Sequence, residues 1–261
     1  MTAWPQTQTL ATMLAAARRT GQQIEALPAA LVPPDAETAY GVNIKVAEQL
    51  EWPTLGWKIA GTTAHVREKL NITEPIYGRT YQRFAHKSGT ALIHNELLDP
   101  LVECEFFVSL AAPLEPRDTP WTRAEIFDAV GDIHAGVEVA ECRFPMKALP
   151  PLPAVLADGA ASGRYVFGDS INVGLDQLPE VAVILEVDGT IVRRGTGADV
   201  MEHPITPLLW LAETRRKQGL GLAAGDMIST GSCTGMLPVR AGQSLQVTFG
   251  DSAAVVVSFD G

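Results

Sequence analysis

Cationic side chains and long apolar runs are both scarce in this sequence. Its 261 residues include 20 lysines and arginines against 30 aspartates and glutamates, which gives a formal net charge of −10 at pH 7. A protein that binds nucleic acid needs a basic surface for the phosphates, and an anionic membrane surface repels so acidic a chain. No apolar run approaches the roughly 20 residues that span a bilayer. We therefore expect neither nucleic acid nor a membrane as a partner.

Cysteine is also rare, and the three cysteines, Cys104, Cys142 and Cys233, lie far apart in the sequence. An odd number at this spacing matches neither a disulfide framework nor a zinc site, and the five histidines show no metal-ligand spacing. No glycine-rich phosphate loop and no nucleophile elbow is present. Residues 1–19 lack the basic and apolar blocks of a secretory signal. The sequence therefore predicts reduced thiols in a cytoplasmic protein.

Helical and β-like patterns divide the chain near residue 53. Apolar residues recur at helical spacing in one segment that ends at Gly21 and in a second that begins after Asp35. Short β-like runs follow at residues 101–110, 136–142, 181–187, 244–249 and 253–259. Two helices are predicted among them, one opened by a capping box of Thr122 and Glu125 and one at residues 204–217, while the proline-rich residues 150–153 are expected to form a brief crossing.

This arrangement predicts the fold class. Many short strands with few helices argue against a parallel βαβ sheet and favour an antiparallel or mixed α+β body. We therefore expect a helical N-terminal lobe at residues 1–53 and a β-rich body at residues 54–261, both belonging to one domain.

Two glutamates interrupt the apolar run at residues 101–110. Side chains alternate between the faces of a strand, so Glu103 and Glu105 share one face and apolar residues occupy the other. Two neighbouring carboxylates in so apolar a strand repel each other and are costly to bury. A divalent cation removes both costs, and Mg²⁺, Mn²⁺ or Ca²⁺ accepts such oxygen ligands. The spacing alone is equally consistent with an edge strand whose acidic face is solvated.

Two further glutamates, Glu138 and Glu141, lie in the apolar run at residues 136–142. They fall on opposite faces of a regular strand, so at most one of them can join such a site. From the pattern alone, either one reads as an ordinary exposed glutamate.

Lys58 is the only cation in residues 55–61, an apolar segment that contains two glycines. A lysine in that setting is a candidate for a shifted pKa or a contact with an anion. The alternative is a surface lysine whose stem packs on apolar neighbours while its ammonium group reaches water.

The order of these segments resembles the hydratase/decarboxylase branch of the fumarylacetoacetate hydrolase superfamily, and within it the 2-keto-4-pentenoate hydratases. The resemblance extends from about Ala36 to Phe259. It depends on the shared order and spacing of several short motifs, at residues 56–63, 74–78, 103–105, 138, 161–163 and 225–231.

The resemblance implies a mixed β-roll or barrel of the fumarylacetoacetase C-terminal-domain type, assembled into homo-oligomers. It implies Mg²⁺ or Mn²⁺ held by Glu103, Glu105 and Glu138, with Glu141 outside the ligand set. It also implies a catalytic role for Lys58. Around a small 2-oxo or 2-hydroxy acid substrate it places four further residues: Ser162, Gly163, Thr230 and Gly231.

The activity implied is that of a metal-dependent hydratase, which adds water to a 2-hydroxy-2,4-dienoate through a metal-stabilised enolate and yields a 4-hydroxy-2-oxo acid. Decarboxylation of a 4-oxalocrotonate and hydrolysis of an acylpyruvate or fumarylpyruvate are alternatives, as is a non-catalytic metal-stabilised protein. The chain departs from the family pattern after Gly78, where relatives often carry acidic residues and residues 79–83 contain none. Trp57 is a second departure.

Overall fold

Six α-helices and thirteen strands are present in the computed structural model, which describes residues 4–251 and 253–261. The helices are α1 (Thr7–Thr20), α2 (Ala36–Leu50), α3 (Ala64–Leu70), α4 (Arg123–Ala129), α5 (Leu152–Ala157) and α6 (Thr206–Lys217). The strands are β1 (Thr54–Ala60), β2 (Ile76–Tyr81), β3 (Ala85–Lys87), β4 (Thr90–Ile93), β5 (Leu101–Leu110), β6 (Val130–Ala140), β7 (Arg164–Ser170), β8 (Ala182–Val187), β9 (Thr190–Thr196), β10 (Met227–Ser232), β11 (Leu237–Pro238), β12 (Ser244–Phe249) and β13 (Ala253–Asp260).

Local capping residues fix the helix ends that the sequence predicted. The Asp35 carboxylate accepts a hydrogen bond of 2.8 Å from the backbone N–H of Thr38 and so begins α2. Gly21 ends α1 with a left-handed φ of 66°, which costs glycine little. The capping box of Thr122 and Glu125 is present at the start of α4. These predictions are confirmed.

Two helices were not predicted. α3 has no buried residue and therefore no apolar stripe by which to recognise it. α5 begins inside the proline-rich residues 150–153, so the prediction of a mere crossing is wrong there. Proline is compatible with the first helical turn, where its missing N–H has no intrahelical partner anyway.

The larger sheet positions the candidate site. Seven of its eight strands follow the order β2-β1-β10-β5-β6-β7-β3, and β11 pairs with the N-terminal end of β5. β1 pairs with β10 in parallel, as β3 does with β7, whereas the other pairs are antiparallel. The mixed character that the sequence predicted is confirmed.

A second sheet, of order β4-β13-β12-β8-β9, packs against the larger one. The main apolar core lies between them, and it includes Phe106 of β5 and Phe249 of β12, whose ring centroids are 5.2 Å apart. One face of β5 is therefore committed to the core, and the opposite face carries the glutamates.

The N-terminal helices pack on the body rather than apart from it. α1 and α2 share a second apolar cluster with α5 and with Ile76 and Tyr81 of β2. The lobe boundary at residue 53 stays a prediction, and residues 1–3 of that lobe lie outside the described residues. Within the residues that are described, no helix combines the length and apolar character needed to cross a bilayer.

Candidate metal centre and active site

The glutamates of β5 lie on the face of the strand that points away from the core. Glu103 is 6% exposed and Glu105 is 1% exposed, so the alternative of a solvated acidic edge strand is wrong. β5 is a central strand that pairs with β10 on one side and β6 on the other. Both carboxylates are thus held inside the protein by the sheet register.

Glu138 joins them through the pairing of two strands. It is the direct partner of Glu103 in the antiparallel register of β5 and β6, and it is completely buried. One carboxylate oxygen from each of Glu103, Glu105 and Glu138 lies within 4.8 Å of the other two. Glu141 is directed elsewhere, since it accepts a hydrogen bond from the backbone of Leu98 and pairs with Arg164 at 3.2 Å.

Lys58 is the cation that faces this cluster. Its side chain is 0% exposed, so the alternative of a surface lysine is wrong. Its Nζ lies 3.3 Å from Glu138 Oε1 and donates a hydrogen bond of 3.0 Å to the carbonyl of Ala160. Burial acts to lower the pKa of Lys58, but the carboxylates, Glu138 foremost, raise it above its ordinary value. Lys58 therefore stays protonated.

The three carboxyl groups are all harder to ionise than usual. Burial raises the pKa of Glu103 to about 7, although Lys58 opposes the effect. Burial raises the pKa of Glu105 well above its ordinary value, and repulsion from Glu138 and Glu103 adds to it. Burial also raises the pKa of Glu138, against the opposing charge of Lys58. One ammonium group does not compensate three buried carboxylates.

This site fits a divalent cation. The Oε2 atom of Glu103 is buried and has no hydrogen-bond partner among the described residues. This unpartnered oxygen and the carboxylate oxygens of Glu105 and Glu138 that lie close to it form the kind of oxygen donor set that Mg²⁺ and Mn²⁺ prefer. A bound cation would also offset the excess negative charge.

Ser229 and the backbone of Gly231 were not predicted to contact the carboxylates. Ser229 Oγ donates to Glu105 Oε2 and lies 3.2 Å from Glu138 Oε2, so its single proton is placed between two carboxylates. The N–H of Gly231 donates to Glu105 at 2.8 Å, where the register of β10 shifts between Ser229 and Ser232. No sequence signal marked these two contacts, because the partner of a serine hydroxyl or of a backbone N–H in a strand is known only once the neighbouring strands are known.

The predicted substrate-binding residues differ in the contacts that they make near this cluster. The hydroxyl of Thr230 is buried and donates to the carbonyl of Phe106, so its proton is not available to a substrate carboxylate. Ser162 Oγ lies 2.9 Å from the hydroxyl of Tyr165, which donates to Glu138 at 3.3 Å. Gly163 packs so tightly that a Cβ there would lie 2.1 Å from the carbonyl of Val139.

A strained segment carries the carbonyl that Lys58 contacts. Residues 159–161 all have left-handed φ values, between 54° and 88°, and two of them are alanines, for which this conformation is unfavourable. Asp158, which precedes them, is completely buried between Arg18, at 3.3 Å, and Arg143, at 3.0 Å. Two arginines thus hold the segment in place, one of them from helix α1.

Known proteins resemble this chain over most of its length. A TodF product hydratase from Pseudomonas putida is 28% identical over 229 residues, which cover 86% of this chain and 84% of the relative. Further relatives, 27–28% identical, are named 2-keto-4-pentenoate hydratase. No protein-family model matches the chain.

Solved structures share the fold. The 4-oxalocrotonate decarboxylase from Pseudomonas putida G7, complexed with magnesium and adipate, superposes with a TM-score of 0.89 at 25% identity and covers 97% of each chain. Fumarylpyruvate hydrolase from Pseudomonas aeruginosa, in complex with Mn²⁺ and pyruvate, covers 80% of this chain and 90% of its own with a TM-score of 0.59. At 15% identity that second likeness concerns the fold alone.

The fold is that of the fumarylacetoacetate hydrolase superfamily, as the sequence predicted. The chain is similar over most of its length to proteins named 2-keto-4-pentenoate hydratase and 4-oxalocrotonate decarboxylase, which confirms the resemblance found in its motifs.

Proposed function

We propose that this protein is a metal-dependent hydratase, a carbon–oxygen lyase that adds water to a 2-hydroxy-2,4-dienoate and releases a 4-hydroxy-2-oxo acid. The observation that carries this proposal is the buried cluster of Glu103, Glu105 and Glu138 beside Lys58. The similarity to proteins named hydratase supports it along most of the chain.

The three glutamates would hold Mg²⁺ or Mn²⁺. A solved relative is described with magnesium and another with Mn²⁺, which supports this choice of ion. When bound, the cation supplies Lewis-acid stabilisation of negative charge on the C2 oxygen of a 2-oxo acid.

Lys58 would provide the fixed positive charge next to the reacting carbons. The reaction needs protonation of the dienol at C5, addition of water at C4 of the resulting 2-oxo-3-enoate, and protonation at C3. Each step requires a proton carrier within hydrogen-bond reach. The Lys58 ammonium is immobilised by Glu138 and by the carbonyl of Ala160, so it stabilises developing negative charge without reorganising.

Tyr165 and Ser162 would extend a proton path from Glu138. Burial raises the pKa of Tyr165 well above its ordinary value, so its hydroxyl keeps its proton and donates to Glu138. Ser162 and the backbone of Thr230 would hold the substrate carboxylate, and Gly163 and Gly231 would lie beside the substrate, as the motifs imply.

Decarboxylation of a 4-oxalocrotonate is the second candidate. The observation that favours it is the superposition on a 4-oxalocrotonate decarboxylase over 97% of both chains. The same fixed charges serve both reactions, because loss of CO₂ also leaves negative charge delocalised onto the C2 oxygen.

A substrate panel tests the two. Purified protein with Mg²⁺ is given 2-hydroxypenta-2,4-dienoate, a 4-oxalocrotonate and an acylpyruvate, and ultraviolet spectra and CO₂ release are followed. We expect the absorbance of the dienoate to fall without release of CO₂. EDTA and Glu105→Gln should each abolish this activity. The control Glu115→Gln, which alters an exposed glutamate, should retain it. CO₂ release from the oxalocrotonate alone assigns the second function, and inertness towards all three substrates contradicts both.

We also propose that the protein acts in the cytoplasm as a homo-oligomer. The three cysteines are free and buried, which suits a reducing compartment. Light scattering coupled to size-exclusion chromatography tests the assembly, and a mass of 27.9 kDa, that of one chain, would contradict it.

A further inference from the structure

The two departures from the family pattern, Trp57 and the segment after Gly78, meet in a pocket that the proposed reaction does not use. Trp57 precedes Lys58 in β1 and points to the opposite face of the strand, away from the carboxylates. Arg79 of β2 is its direct partner in the sheet. The pocket has a volume of about 440 Å³ and lies between this part of the sheet, helix α2 and the end of α6.

Aromatic rings form the walls of this pocket. Tyr40 of α2 stacks on Tyr77 of β2, with ring centroids 4.1 Å apart and planes inclined by 8°. Trp57 meets Tyr77 edge to face at 5.7 Å. The hydroxyl of Tyr77 is fixed by Gln218, and Ile44, 48% exposed, offers an apolar side chain at the mouth. These surfaces suit a flat apolar body.

Two guanidinium groups converge on Trp57. The Cζ atom of Arg79 lies 3.6 Å from the indole centroid and that of Arg215 lies 4.5 Å from it, so the two are at most about 8 Å apart. Arg215 is only 8% exposed, and its Nε has no hydrogen-bond partner among the described residues. Within those residues, neither arginine has a carboxylate within the 4.0 Å of an ion pair.

The nearby acids form no direct ion pair with these two arginines among the described residues. The Asp226 carboxylate accepts hydrogen bonds from the Trp57 indole, at 3.1 Å, and from the backbone of Ala223, at 2.9 Å. Glu37 and Glu48 lie at the exposed rim, where Glu48 already pairs with Lys45.

The electrostatic cost of this arrangement is evident at Arg79. Burial lowers the pKa of Arg79; Asp226 opposes that effect, and Arg215 adds to it by repulsion. Buried charges in proteins are normally paired, and two neighbouring cations that share a single nearby acid, Asp226, and contact no carboxylate directly favour binding of an anion. A carboxylate matches the planar donor fork of a guanidinium group.

We infer that this pocket, which we call the Trp57 pocket (Tyr40, Trp57, Tyr77, Arg79 and Arg215), binds an aromatic carboxylate separate from the substrate of the metal centre. The carboxylate lies against Arg79 and Arg215, and the ring packs on the aromatic walls and Ile44. The inference is independent of the proposed reaction, because it uses no residue of the carboxylate cluster.

Calorimetric titration with benzoate tests this inference on the Mg²⁺-loaded protein, with benzamide as the neutral isostere and inorganic phosphate as the non-aromatic anion. We expect one benzoate per chain and at least tenfold weaker binding of benzamide and phosphate. Arg79→Gln and Arg215→Gln are each expected to weaken benzoate binding at least tenfold. Benzoate bound in the pocket should also quench the fluorescence of the Trp57 indole, and Trp57→Phe should remove this quenching.

Two controls locate the binding. Arg83→Gln removes an exposed guanidinium group that lies over Trp52 instead of Trp57, and we expect it to bind benzoate as the parent does. Glu105→Gln, which alters the carboxylate cluster, is also expected to retain binding. Circular dichroism and melting temperature check folding. If Arg79→Gln does not fold, Arg79→Lys replaces it. Absence of benzoate binding, equal affinity for benzamide, or loss of binding in Glu105→Gln alone would overturn the inference.

Discussion

Replacing Lys58 by methionine removes the cation that faces the candidate metal centre. The methionine keeps most of the apolar stem, so the packing of β1 should survive. What disappears is the ammonium group 3.3 Å from Glu138 and 3.0 Å from the carbonyl of Ala160. Among the described residues, no other cationic side chain lies within 4.0 Å of the three carboxylates.

Two effects of this substitution can be measured, one on turnover and one on stability. A fixed charge aimed at developing negative charge in a water-poor site is worth about 10²–10³ in rate, so we expect turnover to fall by that factor. Removing one partner of a buried ion pair costs about 3–5 kcal/mol when the other stays charged. A bound cation supplies the missing positive charge. We therefore expect Lys58→Met to lose most of this stability in EDTA and to lose little of it when Mg²⁺ is bound.

Initial rates at saturating Mg²⁺ and urea unfolding with and without the metal measure both effects. Lys45→Met is the matched control, because Lys45 is exposed and only pairs with Glu48 on the surface of α2. Turnover within threefold of the parent would refute the role of Lys58. A stability loss that Mg²⁺ does not restore would refute the charge argument and leave a packing defect.

Three further outcomes are expected. Glu105→Gln should lose Mg²⁺-dependent turnover yet melt at a higher temperature than the parent in EDTA, because one repelling carboxylate is gone; a lower melting temperature contradicts this. The pKa of Glu103 is about 7 in the folded protein against an ordinary 4.5, so between these pH values the metal-free folded protein holds more protons than the unfolded chain. Its melting temperature should therefore fall as pH rises from 4.5 to 7, and Mg²⁺ should remove this pH dependence. Gly231→Ala should cost about 2–4 kcal/mol in urea unfolding, because its Cβ would lie 2.4 Å from Thr62 Oγ1 and its φ of 106° is unfavourable for alanine. Gly242→Ala, which shares the positive φ but whose added atom meets open space, should cost about 1 kcal/mol.

Strand alternation made the β5 face predictable. The pattern at residues 101–110 separates Glu103 and Glu105 from the apolar residues, and the structure has the same separation. Burial of the pair was not predictable from spacing, because an edge strand and a central strand share that pattern. The distinction depends on β10 and β6, which flank β5 from distant parts of the chain.

Contacts between strands explain the remaining differences. Glu138 faces Glu103 because of one register, and only the family resemblance selected it over Glu141. Ser229 was missed because a serine in a strand carries no signal of its own until its neighbours are known. The sequence showed the Trp57 pocket only as two separate departures from the family pattern, at Trp57 and after Gly78. They come together because Trp57 pairs with Arg79 in the sheet.

The parallel pairing of β1 with β10 has a consequence for how the protein folds. Trp57 is paired with Ile228, about 170 residues later, and β10 lies between β1 and β5 in the sheet. Lys58 therefore reaches the carboxylates only after nearly the whole chain has been brought together, and pairings of such long range form slowly. Before that step, the carboxylates of β5 and β6 lack the ammonium group of Lys58 and the hydrogen bonds that Ser229 and Gly231 donate to Glu105, so the metal site is not yet fully ordered. Mg²⁺ should consequently slow unfolding, while the rate of refolding stays as it is without the metal.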